Sequence, residues 1–145
     1  MEVNEVKLQE FLIETQFKAD ETLALNKGRE IVTTVSVSPT GSHPSAHSPV
    51  ETIIGALGAC FLINLQRYFN ERQKKLSDSD VYIELKGYRD PTIPKLVRIN
   101  YVVKINDEYE FDPETLKEFM EKKSTTYRTL ENCVEISGEI QKFSN

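Results

Sequence analysis

The stretch SPVETIIGALGACF, residues 48–61, decides the fold of this 145-residue chain. Ser48 is a candidate N-cap, Pro49 stands at the first helical position, and Glu51 completes a capping box. The residues that follow are apolar on every side of a helix, which is typical of a helix buried all round. We therefore predict a long, buried central helix over about 49–75, whose charged second half emerges into water.

Strand patterns precede this helix. Residues 31–37 alternate between the two faces of a strand and are rich in β-branched side chains. The turn residues at 26–28 predict a hairpin that joins this strand to residues 22–25. An earlier strand within residues 6–17 alternates less regularly, so the N-terminal strands are predicted to occupy about 3–37.

Strands and shorter helices follow the central helix over about 80–143. In chain order, the predicted elements are strands near 81–85 and 97–105, a helix after Asp112, a helix from Ser124 to about Leu130, and a strand near 134–136. This order predicts an α+β fold with an antiparallel sheet, in a single domain of residues 1–145.

Composition narrows the class of protein. Apolar residues make up 39% and charged residues 28% of the chain, which is typical of a soluble globular protein. The net charge of -5 argues against a nucleic-acid footprint, which needs a basic face. The start of the chain is acidic, and the longest apolar run, residues 53–63, is shorter than the roughly 20 residues of a membrane span. We expect a cytoplasmic protein that binds neither nucleic acid nor membrane.

The small residues of the central helix indicate a partner. A chain of this length rarely has enough sheet to surround a helix on all sides. Gly55, Ala56, Gly58 and Ala59 would let a second backbone approach closely. We therefore expect the helix to be buried at the interface of a homodimer.

The two cysteines, Cys60 and Cys133, are the candidate reactive groups. Each has a purely structural interpretation, because free cysteine is among the most buried residue types and behaves as a small hydrophobe. A reducing compartment argues against a permanent structural disulfide. A zinc site with His43 and His47 is disfavoured, because the cysteines lack the close spacing of zinc ligands. We expect no metal.

Residues 48–61 resemble the signature of the OsmC/Ohr family, the osmotically inducible and organic hydroperoxide resistance proteins, and Cys133 lies where the second family cysteine is found. The resemblance implies an intertwined homodimer with active sites at the subunit interface and no cofactor. It implies a thiol peroxidase in which Cys60 attacks a hydroperoxide and becomes a sulfenic acid. Cys133 would then form a disulfide with Cys60, and a dithiol or lipoylated protein would reduce it.

Two further residues are candidates for a supporting role at Cys60. Glu51 lies nine residues earlier, about 13 Å along a regular helix and on the opposite face, so it could act only across an interface or through another residue. Arg29, with Lys18 nearby, is a candidate for the cation that lowers the pKa of the thiol.

Two other functions stay open. The chain could form a non-enzymatic dimer that binds an apolar ligand, or it could sense peroxide without turnover. The separation of Cys60 and Cys133 distinguishes these functions from a two-cysteine peroxidase, because a disulfide requires Cα atoms within about 7 Å.

Overall fold

A computed structural model describes residues 6–144, which separate into two compact units. The first unit ends at Pro49 and the second begins at Val50. Runs of strands are followed by runs of helices along the chain, in the order βββαββααβ, which confirms the predicted α+β class. Residues 3–5 of the predicted strand region lie outside the described residues.

The first unit is a three-stranded antiparallel sheet of order β1-β2-β3. Its strands are β1 (Glu14–Lys18), β2 (Leu23–Gly28) and β3 (Ile31–Ser36). Each strand pairs with the next along the chain, so the predicted hairpin between the second and third strands is confirmed.

The turn of this hairpin lies later than predicted. Residues 26–28 belong to β2, and the chain turns instead at Arg29 and Glu30, whose φ angles are 53° and 67°. Positive φ at both central residues gives the twist that a two-residue hairpin requires. Asn26 and Gly28 were the stronger turn residues in the sequence, but the strand pairing includes them.

The second unit contains a mixed three-stranded sheet of order β4-β5-β6 and three helices on one of its faces. The elements are α1 (Pro49–Asn70), β4 (Val81–Asp90), β5 (Lys95–Asn106), α2 (Pro113–Lys122), α3 (Thr125–Leu130) and β6 (Glu135–Phe143). β4 and β5 are antiparallel, whereas β5 and β6 are parallel. The prediction of an antiparallel sheet is therefore wrong for β6, because α2 and α3 form a crossover that brings the chain back in the same direction.

α1 begins at Pro49 as predicted but ends at Asn70, five residues before the predicted end. Its end is closed by two backbone hydrogen bonds, from Gln73 N–H to Asn70 and from Lys74 N–H to Phe69, of 3.0 and 2.8 Å. Gln73 has a φ of 61°, so these bonds form the Schellman arrangement. Glycine is usually found at the position that Gln73 occupies. Because no glycine stands there, the charged residues after Asn70 were predicted to continue the helix.

One face of α1 forms the core of the second unit. Its buried apolar side chains, spaced three or four residues apart, pack against alternate residues of β5, of which Ile99, Tyr101, Val103 and Ile105 are buried. The ring of Phe61 lies 4.9 Å from that of Tyr101 and 6.2 Å from that of Tyr127, measured between centroids. Phe61 thus joins α1 to the central strand and to α3.

The opposite face of α1 is exposed in the single chain. Ile53, Leu62 and Ile63 are 42%, 39% and 47% exposed. The prediction that the helix is buried on every side is therefore wrong for a single chain. Within the described residues, α1 is the one helix long and apolar enough to cross a membrane. Its inner face packs on a sheet, as in the core helix of a globular unit.

The two shorter helices begin as predicted. Asp112 caps α2, and its side chain accepts a hydrogen bond from Thr115 N–H at 3.0 Å. Ser124 caps α3, and its side chain accepts a hydrogen bond from Tyr127 N–H at 3.0 Å. Both caps satisfy amide groups that have no partner inside the helix.

Gly138 tests the packing of β6 on β5. A Cβ atom at this position would lie 2.4 Å from the carbonyl oxygen of Tyr101, which is a backbone atom and cannot rotate away. We expect Gly138→Ala to lower the free energy of unfolding by about 1–3 kcal/mol, the usual effect of overpacking. Urea denaturation measures this loss, and Glu139→Ala, at the exposed neighbouring position, should change stability by less than about 0.5 kcal/mol. Equal stability of the two variants would contradict the packing described.

Candidate functional site

Cys60 lies on α1 beside the first turn of α3. It precedes Phe61, whose ring is fixed in the core, so the backbone of α1 holds the thiol at the edge of the buried face. The sulfur is within hydrogen-bonding range of the Ser124 hydroxyl, the Thr125 amide, and the Thr126 amide and hydroxyl. These groups follow α2 directly, so the end of α2 and the start of α3 bring four donors to one sulfur.

Ser124 is held in a fixed orientation. Its side chain is completely buried, and its Oγ atom accepts the hydrogen bond from Tyr127 N–H that caps α3. A serine hydroxyl has one hydrogen to donate and two lone pairs. Because the cap uses a lone pair, the hydrogen of Ser124 remains free to point at the sulfur of Cys60.

The surroundings favour the thiolate form of Cys60. Partial burial raises the pKa of the thiol, but hydrogen bonds from Ser124, Thr126 and Thr125 lower it by more, so the pKa lies below its usual value. The groups that lower it are neutral hydroxyl and amide donors. The thiolate is the nucleophilic form of cysteine, and the arrangement therefore suits attack on an electrophile.

Cys133 lies beyond the other end of α3. Its thiol is exposed and donates a hydrogen bond to the carbonyl oxygen of Leu130 at 3.3 Å. The backbone N–H groups of Cys133 and Val134 also bind this oxygen, at 3.0 and 2.9 Å. Both cysteines are free thiols. The disulfide between them stays a prediction.

Glu51 occupies the first turn of α1 and is exposed. α1 is helical through both Glu51 and Cys60, so the separation of about 13 Å along the axis applies within one chain. The direct partners of the Cys60 sulfur come from α3 and its cap. A supporting role for Glu51 stays a prediction.

Arg29 and Lys18, the two candidate cations, both belong to the first unit. Arg29 is exposed in the β2–β3 turn and lines an open cleft of about 600 Å³ with Phe11, Ile13 and Ile31. Lys18 forms an ion pair of 3.2 Å with Glu21. The role of Arg29 as an activating cation stays a prediction.

The histidines lie in the loop between β3 and α1. His43 contacts the carbonyl oxygen of Glu21 at 2.9 Å and accepts a hydrogen bond from Ser45 N–H at 3.0 Å. Across residues 6–144, no group of three or more His, Cys, Asp or Glu side chains is arranged to hold a metal ion.

Sequence reasoning missed the hydroxyl and amide donors at Cys60. Ser124 was recognised only as the start of a helix, and Thr125 and Thr126 only as its first residues. A run of three hydroxyl residues at a helix start is the one local signal, but capping explains it fully. Sixty-four positions separate Ser124 from Cys60, so only tertiary structure shows the contact.

The chain matches a protein-family model. The family model described as OsmC-like protein matches residues 41–139, a segment that includes Cys60, Ser124 and Cys133. The search of curated proteins finds no match.

Solved structures share the fold at low sequence identity. An OsmC-like protein from Mycoplasma pneumoniae is similar with a TM-score of 0.73 and 17% identity, over 92% of this chain and 97% of that one. An organic hydroperoxide resistance protein OsmC from Legionella pneumophila has a TM-score of 0.62 and 13% identity, over 94% and 98%. The organic hydroperoxide resistance protein OhrB of Bacillus subtilis has a TM-score of 0.58 and 14% identity, over 92% and 99%.

Replacing Ser124 tests the source of the thiolate. Ser124→Ala removes a hydrogen bond to a charged sulfur, worth about 1.5–3 kcal/mol, so we expect the pKa of Cys60 to rise. Alkylation of Cys60 near neutral pH should then slow, because a smaller fraction of the thiol is ionised. The slowing should be roughly three- to tenfold, since the more basic thiolate is also more nucleophilic and partly offsets the loss. Peptide mass spectrometry after iodoacetamide treatment over a pH series measures this.

The matched control is Asp112→Ala. This variant loses the cap of α2, which should lower the free energy of unfolding by about 1 kcal/mol, as the loss of the α3 cap does in Ser124→Ala. It keeps the hydrogen-bond donors at Cys60. Its alkylation profile should coincide with that of the unsubstituted protein. A profile unchanged in Ser124→Ala would show that this hydroxyl does not stabilise the thiolate.

Proposed function

Because the chain belongs to the OsmC-like family, we propose that it is a thiol peroxidase that reduces organic hydroperoxides at Cys60. One observation carries the proposal, the hydrogen bonding of the Cys60 sulfur by Ser124, Thr125 and Thr126. Two proteins of similar fold are described as organic hydroperoxide resistance proteins, which supports the choice of substrate class.

The first chemical step is nucleophilic substitution at oxygen. The thiolate of Cys60 attacks the oxygen of the hydroperoxide that bears hydrogen, the O–O bond breaks, and the alkoxide leaves. Sulfur is oxidised to a sulfenic acid, and the alkoxide takes a proton from solvent to give the alcohol. The donors at α3 contribute by keeping the sulfur ionised at neutral pH. Arg29 is proposed as an additional cation from the sequence alone, and Glu51 as a supporting group from a partner subunit.

We also propose a homodimer that covers the outer face of α1. Ile53, Leu62 and Ile63 are exposed on this face, and Gly55 has open space around it. A helix with apolar residues on both faces needs a second surface to bury the outer one. A second copy of the chain presents the same apolar, small-residue face, which suits a two-fold interface.

Loss of the Cys60 thiol tests the enzymatic proposal. We expect Cys60→Ser to abolish consumption of cumene hydroperoxide with dithiothreitol as reductant, because serine is not ionised at neutral pH. Residual peroxide is measured with ferrous xylenol orange. The control is Ser137→Ala, whose position on the exposed face of β6 is outside the site. Turnover that persists in Cys60→Ser would refute the proposal, and an inactive native protein would favour ligand binding without catalysis.

Placing a charge on α1 tests the dimer. Ile63→Asp would bury an unpaired carboxylate at the proposed interface, so we expect this variant to sediment as a monomer where the native protein sediments as a dimer. Tyr82→Asp is the control, because Tyr82 is 58% exposed on β4 and lies off α1. A native protein that is monomeric at micromolar concentration would contradict the proposed interface.

A further inference from the structure

The two cysteine sulfurs form hydrogen bonds with opposite ends of α3. The sulfur of Cys60 receives hydrogen bonds from Ser124 and the first turn of the helix. The sulfur of Cys133 donates to Leu130, the last residue of the helix. Thr126 and Leu130 are four residues apart, which corresponds to about 6 Å of helix between their Cα atoms. The hydrogen-bond partners of the two sulfurs therefore lie at opposite ends of the helix.

Cys133 is fixed at its end of the helix by more than its thiol. Its own N–H and that of Val134 bind the carbonyl oxygen of Leu130, and Val134 is buried in the core. From this point the chain enters β6, whose register with β5 starts at Glu135. Cys133 therefore has little freedom to move toward Cys60 while α3 and β6 stay folded.

A disulfide has an S–S distance of about 2.05 Å. To form one, a sulfur would have to leave its own hydrogen-bond partners and pass along α3. The cap at Ser124 opposes this movement, because Ser124 is fully buried and its side chain closes the start of α3. The Cys60 thiol itself is only partly buried, so a small reactant from solution has access to it.

We propose that the sulfenic acid of Cys60 is reduced by a thiol from outside the chain, through a mixed disulfide on Cys60, and that Cys133 takes no part. This inference rests on the proposed peroxidase function. A thiol attacks the sulfenic sulfur, the S–O bond breaks, and water leaves. A second thiolate then attacks the external sulfur of the mixed disulfide, which releases the Cys60 thiolate and an external disulfide.

The overall reaction balances. One hydroperoxide and two thiol groups give one alcohol, one water and one disulfide, and Cys60 returns to its starting state. The two thiol groups can come from one dithiol, whose second group closes its own ring. A dithiol reductant therefore suits this site without any contribution from Cys133.

The experiment uses the full-length protein, cumene hydroperoxide and glutathione. One equivalent of hydroperoxide is added, then glutathione, and the peptides are analysed by mass spectrometry without reduction. We expect glutathione on the Cys60 peptide and a free thiol at Cys133. Cys133→Ser, whose hydroxyl can keep the hydrogen bond to Leu130, should give the same yield of adduct and the same turnover with dithiothreitol. A Cys60–Cys133 linkage, within or between chains, would overturn the inference.

A second arm does not depend on peroxide. The protein is treated with one equivalent of 5,5′-dithiobis(2-nitrobenzoate), which places a mixed disulfide directly on a cysteine. We expect the adduct to persist and one thionitrobenzoate to be released per equivalent, in the native protein as in Cys133→Ser. Release of a second thionitrobenzoate, with the two cysteine peptides linked, would overturn the inference. An adduct that persists in a protein unreactive toward hydroperoxide would refute the proposed function and leave the separation of the two thiols established.

Discussion

The packing of Phe61 on Tyr101 and Tyr127 fixes the parts of the second unit relative to one another. Phe61 is fully buried, and its ring contacts both the central strand and α3. Removing a buried phenylalanine ring usually costs about 3–5 kcal/mol. α1 also lies close to β4, since a Cβ on Gly58 would lie 2.9 Å from a side-chain carbon of Leu85. Because Cys60 directly precedes Phe61, the same contact determines where the thiol lies.

Ser124 connects the fold to the chemistry. Its hydroxyl oxygen accepts the capping bond of α3, and its hydrogen is available to the Cys60 sulfur. The thiolate is thus stabilised by neutral groups whose positions are set by secondary structure. Such donors need little reorganisation when the sulfur becomes charged, whereas an exposed lysine or arginine loses side-chain entropy on pairing and is screened by salt.

Much of the fold could be predicted from local patterns. The start of α1 at Pro49 and the caps at Asp112 and Ser124 follow from the preferences of helix termini, and the alternation in β5 follows from one buried face. The end of α1 was missed, because Gln73 adopts a conformation usually marked by glycine. The parallel pairing of β6 was missed because strand direction depends on the path of α2 and α3, which no local pattern encodes.

The site was predictable only in part. Cys60 was identified through the resemblance of residues 48–61 to a family signature, since its local surroundings alone suit a core residue. Ser124, Thr125 and Thr126 reach it through tertiary packing. A helix cap and a hydrogen-bond donor to a distant thiol require the same residue type, so the sequence at 124–126 carries no separate sign of the second role. The spacing of the two cysteines likewise gives no information about the short helix between them, whose ends hold the sulfurs apart.

The central claim is that Cys60 reacts with hydroperoxide as a hydrogen-bonded thiolate. The most direct test is the rate of its oxidation by cumene hydroperoxide in a single turnover, measured from pH 5 to 10 by rapid alkylation and mass spectrometry. The account predicts a rate that reaches its plateau below the usual cysteine pKa of about 8.5 and falls at lower pH as the sulfur is protonated. A rate that rises through pH 8.5 as for an ordinary thiol, or no oxidation of Cys60 at any pH, would contradict it.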